Sequence, residues 1–544
     1  MEEKLKVEAK EIEERYENFD TDEGEGQSKK KNKKRNCTPI FLFVLLITLV
    51  SFILYYSGSS TKVNESPKNP TYELSSKCLT TVEDKMECKT CSPGDKLKDG
   101  KCLLNHSFKA VYHTESPNSK VKLFDIPKGV IKEMILNGTK IESTASYTFD
   151  QSGDHTLYVL VDMNRIFTLG GMFLGCKQLV SIEFSPLFNT EKVNEMNFMF
   201  QNCESLKSID VSVFNTQNVA FMEYMFSGCS SLTSLNVLNF NTQNVEKMNS
   251  VFQGCSSLKS IDLHTWNTKS MKNIEYLFAR CSSLTSVNLS GLNTAKVEIM
   301  QRAFFGCSSL TSLDLSSFDT KSVRTMLGMF TGCKNLEHLD ISSFRTPKLR
   351  NMEKMFRDCE KLTSIDLSHF ETRHVIRISG IFSGCTSLVN YSLDISNSRH
   401  LVDYDFVFCD CKSLTSIDVS SFQTEDILSM KRTFSGCSSL TSLDLSNFDT
   451  RNVERMNDMF SNCTSLVSLD ISNFDTTNVE NMNQMFLGCS NLKFLDISGF
   501  YGEARSDGLL TGVPSSGRVK VNKRFAEKIK RYVPKKWNVV IVDP

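Results

Sequence analysis

The chain has 544 residues, with 63 basic and 63 acidic side chains and a formal net charge of zero. A balanced charge gives no electrostatic argument for nucleic-acid binding by the chain as a whole. The length exceeds what one ordinary hydrophobic core supports, which favours either several domains or a repeat array whose units contact only their neighbours.

An apolar segment follows a basic run near the N-terminus. The run KKKNKKR at 29–35 has six bases in seven positions, and Ile40 to Tyr56 then contains no charge. This length is near the minimum for a membrane-spanning helix, and the one-sided basic flank predicts a cytosolic N-terminus and an extracellular C-terminus. The sequence therefore predicts a cytosolic tail (1–36) and a single-pass transmembrane signal anchor (37–57) in the cell membrane. The alternative is a cleaved signal peptide and a secreted product.

A polar stalk (58–77) precedes a small cysteine-rich module (78–103). Its four cysteines predict two disulfides rather than a metal site, because the segment is expected to be extracellular and a second CxxC pair is missing. Of the three pairings that four cysteines allow, we favour Cys78–Cys91 with Cys88–Cys102.

Residues 104–165 alternate apolar and polar side chains, as in KVKLFDI and HTLYVLVD, which predicts a β-rich domain that caps the N-terminal end of a repeat array. Three sequons before the repeats are candidate glycosylation sites, at Asn64, Asn105 and Asn137.

A repeat occupies residues 166–500. Its cysteines are separated by one interval of 27 residues and then by intervals of 26; they are Cys176, Cys203, Cys229, Cys255, Cys281, Cys307, Cys333, Cys359, Cys385, Cys411, Cys437, Cys463 and Cys489. We number coils 1 to 13 from these cysteines, and positions within a coil forward from its cysteine.

Within each coil, leucine stands at +3, aliphatic residues usually stand at +6 and +8, and phenylalanine recurs at +11 and +23. The pattern L-x-x-L-x-L predicts a short strand, and V-x-x-M-x-x-M-F predicts a helical turn. The sequence thus predicts an α/β-type repeat solenoid of 12–13 coils with a short strand and a helical turn per coil, closed by a C-terminal cap (501–544).

The strand segment resembles the leucine-rich repeat. The whole unit, as in CSSLTSLDLSNFDTRNVERMNDMF at 437–460, is similar to the BspA-like leucine-rich-repeat surface antigens of bacteria and parasitic protists. The resemblance covers Cys176 to Phe500, and the ending GVPSSGRVKV…VPKKWNVVIV resembles the C-terminal cap of that family. It implies a cell-surface binding protein or adhesin.

The thirteen repeat cysteines, which we call the ladder cysteines because stacked coils would place them in one row, allow two interpretations. Adjacent coils would bring the Cα atoms within disulfide range, but parallel side chains would hold the Cβ atoms near 4.8 Å, beyond the usual disulfide spacing. We therefore expect buried thiols that pack as small apolar groups.

Positions +5 and +7 should face outward from each strand, and they are mostly serine and aspartate. We take Asp314, His338, Asp340 and Asp366 as a candidate binding face. Stacked carboxylates repel, by roughly 1 kcal/mol per pair in water. Hydrogen bonds to nearby serines and turn amides would offset this repulsion; the alternative is calcium, or a polyhydroxylic ligand, along the aspartates. No other cofactor is expected.

The sequence contains no nucleophile–base pair, zinc-binding HExxH or phosphate loop, so we predict that the chain is not an enzyme. The expected partners are proteins or glycans of host or other cells or of matrix, with no nucleic acid. Two alternatives are a ligand-sensing receptor with a short cytosolic tail and a structural coat protein that self-associates.

Overall fold

The computed structural model describes residues 78–82, 85–91, 95–98, 101–104, 106–398 and 400–543. Its first four strands, described by their backbone alone, are β1 Cys78–Val82, β2 Lys85–Cys91, β3 Asp95–Lys98 and β4 Lys101–Leu104. They form two antiparallel ribbons in which Cys78 stands opposite Cys91, and Cys102 opposite Leu97. Opposed antiparallel residues have Cα atoms about 4.5–5.5 Å apart, which a disulfide can span. The disulfide pairing stays a prediction.

A β-layer precedes the repeats. Its strands are β5 Phe108–Thr114, β6 Ser119–Lys122, β7 Ile131–Leu136, β8 Thr139–Lys140, β9 Ser146–Phe149 and β10 Gly153–Val161. Strand β5 also pairs antiparallel with β11, Leu179–Phe184, the strand of coil 1. The sheet order β12-β11-β5-β10-β7-β8 therefore continues from this layer into the repeats, where β12 is Ser208–Asp210. Phe108 packs edge-on against Phe173 at 5.4 Å between ring centroids, so this layer covers the apolar end of coil 1.

The repeats stack as parallel strands in register. Ser260 pairs with Ser286 and Ser364 with Asn390, a step of one coil each time. The remaining strands of the array are β13 Ser260–Asp262, β14 Ser286–Asn288, β15 Ser364–Leu367, β16 Asn390–Leu393, β17 Ser468–Asp470 and β18 Phe494–Ile497. Neighbouring strands lie about 4.8 Å apart, which sets the rise per coil. The predicted repeat solenoid is confirmed.

The predicted helical turn at +16 to +23 is wrong. In coil 2 the N–H groups of Met225 and Ser227 donate to carbonyls three residues back, whereas those of Met222 and Tyr224 donate to carbonyls of coil 3. Tyr224 has a φ of 56°, and the same position of coil 5, Arg302, has a φ of 51°. A left-handed residue ends a right-handed helix, so the segment is a series of tight turns bonded to the next coil. An apolar spacing of three residues fits such turns as well as a helix.

Helices are few in the described ranges: one α-helix, α1 Lys523–Ile529, and two 3₁₀ turns, Lys128–Val130 and Met163–Arg165. The predicted localisation is corrected on this ground. None of the helices in the described residues is both long and apolar enough to cross a membrane, which takes roughly 20 residues. The anchor predicted at 37–57 lies outside the described residues, and the structure gives no support to a single-pass topology with a cytosolic N-terminus and an extracellular C-terminus.

Two ladders of aromatic rings fill the solenoid. At +23, neighbouring rings are nearly parallel, as for Phe434 and Phe460, whose centroids are 5.7 Å apart. At +11, Phe448 and Phe474 stack at 6.3 Å. All four rings are buried. Each coil thus buries its rings against the two adjacent coils, which is why the array folds as a stack.

A short βαβ segment closes the C-terminal end. Strand β19, Arg518–Asn522, extends the parallel sheet from β18, and β20, Asn538–Val542, follows it. Between them, α1 is capped by Asn522, whose side chain accepts from the Phe525 N–H at 3.0 Å. Trp537 is buried against this end and donates its indole N–H to the Pro514 carbonyl at 2.7 Å.

Candidate functional site

The strand face of the solenoid presents regular rows of polar side chains. Along the strands, +6 and +8 are buried or half-buried and +5 and +7 are mostly exposed, because successive residues of a strand point to opposite sides. Asp314, Asp340 and Asp366 are exposed at +7 of coils 6, 7 and 8, and His338 is exposed at +5 of coil 7. These four predicted residues therefore lie on one face of adjacent coils.

Each of these aspartates also holds the turn after its strand. One carboxylate oxygen, Oδ1, accepts the backbone N–H two residues on, at 2.9 Å for Asp314, Asp340 and Asp366 alike. In coil 3, Asn236 makes the same bond with its side-chain oxygen, at 3.1 Å. The row is thus part of the fold, and a carboxylate retains further lone pairs for a ligand.

Hydrogen bonds hold these carboxylates in their charged form. Asp366 accepts from the Ser392 hydroxyl of the next coil and from the Ser368 N–H, and these bonds lower its pKa to about 2. The Ser316 hydroxyl and N–H lower the pKa of Asp314, and those of Ser342 lower the pKa of Asp340. Serines and turn amides therefore offset the repulsion along the row.

The row does not gather its carboxylates around a point. Within the ranges that the structure describes, no group of three or more His, Cys, Asp or Glu side chains is placed to hold a metal ion. Calcium along the aspartates therefore has no structural support.

A shallow groove on the strand face of coils 2–5 was missed by sequence reasoning. It is lined by serines at +5 and by alternating carboxylate and carboxamide groups at +7, namely Asp210, Asn236, Asp262 and Asn288. The alternation halves the charge density relative to coils 6–8. It is visible in the sequence once the coils are aligned, so the signal was available.

The ladder cysteines are buried thiols that donate hydrogen bonds. From Cys203 onward, each thiol donates to the carbonyl of the phenylalanine three residues before the preceding ladder cysteine, as Cys229 does to Phe200 at 3.2 Å and Cys307 to Phe278 at 3.1 Å. Cys176 donates to the Leu123 carbonyl at 3.3 Å. Burial raises the pKa of Cys255 to about 12. All thirteen are free and buried, as is Cys409, so they are structural and carry no exposed chemistry.

Threonines that recur at +13 form a buried ladder of their own. The Thr216 hydroxyl donates to the Asn241 carbonyl at 3.1 Å and accepts the Asn241 N–H at 2.7 Å. Thr320 does the same with Arg345 of the next coil, at 2.8 Å in both directions. These hydroxyls satisfy backbone groups that the turn leaves without a partner inside its own coil.

Coil 9 departs from the pattern by a two-residue shift. Asp394 accepts the Ser396 N–H at 2.9 Å, the bond that +7 makes to +9 elsewhere, although Asp394 stands at +9. Ser398 therefore takes the place of the +11 phenylalanine and is buried, with its hydroxyl on the Thr372 carbonyl at 2.9 Å. The buried ring of Tyr404 packs on Phe422 at 4.9 Å and fills the lost volume.

The glycosylation candidates divide by position. Asn137 lies at an exposed turn, where its side-chain oxygen accepts the Thr156 N–H at 2.8 Å and its amide lies 3.2 Å from His155 Nδ1. Asn64 and Asn105 lie outside the described residues. Glycosylation stays a prediction at all three.

Comparison with solved structures gives distant repeat proteins. A leucine-rich repeat protein from Eubacterium ventriosum ATCC 27560 is 14% identical, with 58% of this chain and 82% of that chain covered and a TM-score of 0.24. The Toll–Spatzle complex of Drosophila is 13% identical, with 66% of this chain and 57% of that chain covered and a TM-score of 0.24. The TLR13–ssRNA13 complex is 14% identical, with 71% of this chain and 84% of that chain covered and a TM-score of 0.13. At such TM-scores these likenesses carry no argument about function.

No curated protein matches the chain. One family model, described as "Mycoplasma protein of unknown function, DUF285", matches residues 147–237, 167–290, 210–313, 272–397 and 402–501. These segments begin in the β-layer and run through the repeats to the C-terminal cap. Because together they span more than half of its length, the chain belongs to the DUF285 family.

Proposed function

We propose that the chain is a binding protein of the adhesin kind, which holds proteins or glycans of other cells or of matrix along the strand face of its solenoid. The observation that carries the proposal is the repetition of exposed polar positions, +5 and +7, on strands whose intervening positions are mostly buried. The similarity of the repeat unit to the BspA-like surface antigens supports the same interpretation.

The rows suit an extended ligand because they are fixed before binding. The +7 carboxylates are held by turn amides, as Asp340 is by the Ser342 N–H at 2.9 Å, so little side-chain freedom is lost when a ligand is bound. Weak contacts repeated at about 4.8 Å per coil then add through effective concentration. The acidic section, coils 6–8, would select ligands rich in hydrogen-bond donors or positive charge. The proposal assigns no catalytic step to the chain.

The test is a triple variant, Asp314→Asn with Asp340→Asn and Asp366→Asn. Asparagine keeps the turn bond, as Asn236 shows in coil 3, and removes only the charge. Full-length protein would be applied to arrays of matrix proteins and of glycans. We expect the ligands bound by the parent to bind the variant about tenfold more weakly or worse, with an unchanged melting temperature.

The matched control removes three charges away from the strand face, by Glu191→Gln, Glu246→Gln and Glu503→Gln. We expect it to bind as the parent does. Equal binding by the parent and by the triple aspartate variant would exclude the acidic section as the site, and failure of the parent to bind any arrayed protein or glycan would count against the proposal itself.

A further inference from the structure

The side chains at position +17, in the turn segment that follows each strand, have an unusual order in coils 6 to 12. Two bases are followed by three aliphatic residues and then by two acids: Arg324, Arg350, Ile376, Val402, Leu428, Glu454 and Glu480. All seven are exposed. Exposed aliphatic side chains in three successive coils form an apolar patch flanked by opposite charges, which is a feature of interaction surfaces rather than of plain solvated ones.

Among the described residues, a backbone hydrogen bond joins each member of this row to the one before it, except between Ile376 and Val402. The Arg350 N–H donates to the Arg324 carbonyl at 2.8 Å and the Ile376 N–H to the Arg350 carbonyl at 2.9 Å; the Leu428 N–H donates to the Val402 carbonyl at 2.9 Å. Ile376, Val402 and Leu428 remain 38%, 47% and 43% exposed. Seven coils at the strand spacing make a ridge about 29 Å long.

The row is complementary to its own reverse. Coils at equal distances on either side of Val402 carry matching residues. The bases of coils 6 and 7 correspond to the acids of coils 12 and 11, and the aliphatic residue of coil 8 corresponds to that of coil 10. We propose that this ridge is a self-association surface, on which two copies of the chain pack antiparallel about a two-fold axis that passes through Val402.

The symmetry sets the partners. Coil 8 of one copy faces coil 10 of the other, so Ile376 meets the second copy's Leu428, and coil 7 faces coil 11, so Arg350 meets the second copy's Glu454. At +14, the same operation places Arg373 opposite Glu425. An isologous contact makes each of these pairs twice, so a few residues are sufficient to build the interface.

The charges needed for these pairs are available. In the described part of the chain, no salt bridge engages Arg350, Arg373, Glu425 or Glu454, and all four side chains are exposed. Arg324, farther from the axis, is already bound to Glu298 of its own chain at 3.1 Å, so it adds less. The pairs on coils 7, 8, 10 and 11 therefore set the register, and the aliphatic residues between them supply the apolar contact.

A second copy fits this surface better than other occupants. An anionic glycan or nucleic acid would be attracted to the bases of coils 6–8 but repelled by the acids of coils 10–12, and neither would cover the aliphatic residues. An unrelated protein would have to reproduce the reversed order that this chain already carries. The ridge is narrow, at the small end of specific interfaces, so we expect a dimer of about micromolar affinity or weaker.

The test is sedimentation velocity of the full-length protein over a wide concentration range, with two charge-reversed variants. Variant A carries Arg350→Glu and Arg373→Glu; variant B carries Glu425→Lys and Glu454→Lys. Each alone places like charges opposite each other, so we expect its dimer dissociation constant to rise by about tenfold or more. An equimolar mixture of A and B should recover the dimer, because the reversed charges then face their opposites.

Two further variants separate this surface from others. Val402→Asp places two carboxylates together on the axis and should abolish the dimer without lowering the melting temperature, because the side chain is exposed. Lys207→Glu with Lys259→Glu, a matched charge change just before the strands of coils 2 and 4, should leave the dimer intact. A parent that is monomeric at all concentrations, or a dimer unaffected by A, B and Val402→Asp, would overturn the proposal; a mixture of A and B that stays monomeric would overturn the antiparallel register.

Discussion

The aspartate at +7 has two separable properties, a charge and a hydrogen-bond acceptor. Asp314 bonds the Ser316 N–H with one oxygen, and Asn236 makes the equivalent bond without a charge. We therefore predict that Asp314→Ala lowers the free energy of unfolding, because one turn bond is lost, while Asp314→Asn changes it little. Urea unfolding of both variants measures the difference. Equal losses for alanine and asparagine would mean that the charge, and not the turn bond, stabilises the coil.

The same residues predict a loss of stability in acid. The pKa of Asp366 falls from its ordinary 3.8 to about 2, mainly through the Ser392 hydroxyl. A carboxyl group with a lowered folded pKa stabilises the fold above its unfolded pKa, and that contribution is lost as the pH falls from about 4 towards 2. Urea midpoints measured through this window should fall less steeply for Asp366→Asn than for the parent.

The ladder thiols predict a loss of stability in alkali. Burial raises the pKa of Cys333 from 9.0 to about 12, so the folded thiol keeps its proton where the unfolded one ionises. Stability is full below pH 9 and falls as the pH rises through the folded pKa, because only the unfolded chain releases these protons. At neutral pH, iodoacetamide should leave the native ladder unlabelled and should label all thirteen thiols after guanidinium unfolding without a reductant. Thiols that need a reductant first would indicate disulfides.

At the residue scale, the sequence was sufficient to predict which side chains are buried but not which hydrogen bonds they make. The 26-residue spacing indicated that the ladder cysteines stack, and the alternating pattern of the strand indicated that +5 and +7 face outward. It could not reveal that the Cys229 thiol donates to the Phe200 carbonyl, or that the Thr216 hydroxyl bridges both backbone groups of Asn241. Such bonds depend on turn geometry, which a pattern of residue types does not encode.

Coil 9 is the element that differs from the rest. We predict that restoring the residue common to the other coils destabilises this coil. Ser398 occupies the phenylalanine site, and Tyr404 fills the space in its place. Ser398→Phe restores the common residue but adds a ring to a filled core, so we predict a loss of about 1–3 kcal/mol in the free energy of unfolding. Urea unfolding tests this.

The paired change tests whether Tyr404 is the reason. Ser398→Phe with Tyr404→Met, which also restores the usual methionine at +19, should recover part of the loss, because the two sites are coupled. If Ser398→Phe alone stabilises the chain, coil 9 contains an unfilled gap and the compensation by Tyr404 is wrong.

At the element scale, the strand of each coil could be predicted from the sequence, but the conformation of the returning segment, +16 to +23, could not. The residues L-x-x-L-x-L alternate with the period of two that only a strand has, so the strand could be assigned directly. The return has a spacing of three and four, which helices and consecutive turns share. Only the left-handed residues decide between them, and at that position the sequence has residues as different as Tyr224, Arg302 and Asp458.

The whole molecule is a stack in which each coil is stabilised by its neighbours, so damage at one end should stay local. Phe108, which is fully buried, packs on Phe173 at the N-terminal end. We predict that Phe108→Ala costs about 3–5 kcal/mol locally and speeds amide exchange in coils 1 and 2 while leaving coils 12 and 13 unchanged. Hydrogen-exchange mass spectrometry resolves the coils, and uniform acceleration along the chain would contradict nearest-neighbour coupling.

The constant step of 26 residues has a mechanical consequence. If the two ends of the array are pulled apart, the load runs across the hydrogen bonds between one coil and the next, so coils can detach singly from an end instead of all together. Each detached coil releases 26 residues of chain, roughly 85 Å of contour beyond its folded rise. A molecule of this kind under tension would lengthen in equal increments and absorb work at every one, so that a tether made from it yields gradually before it fails.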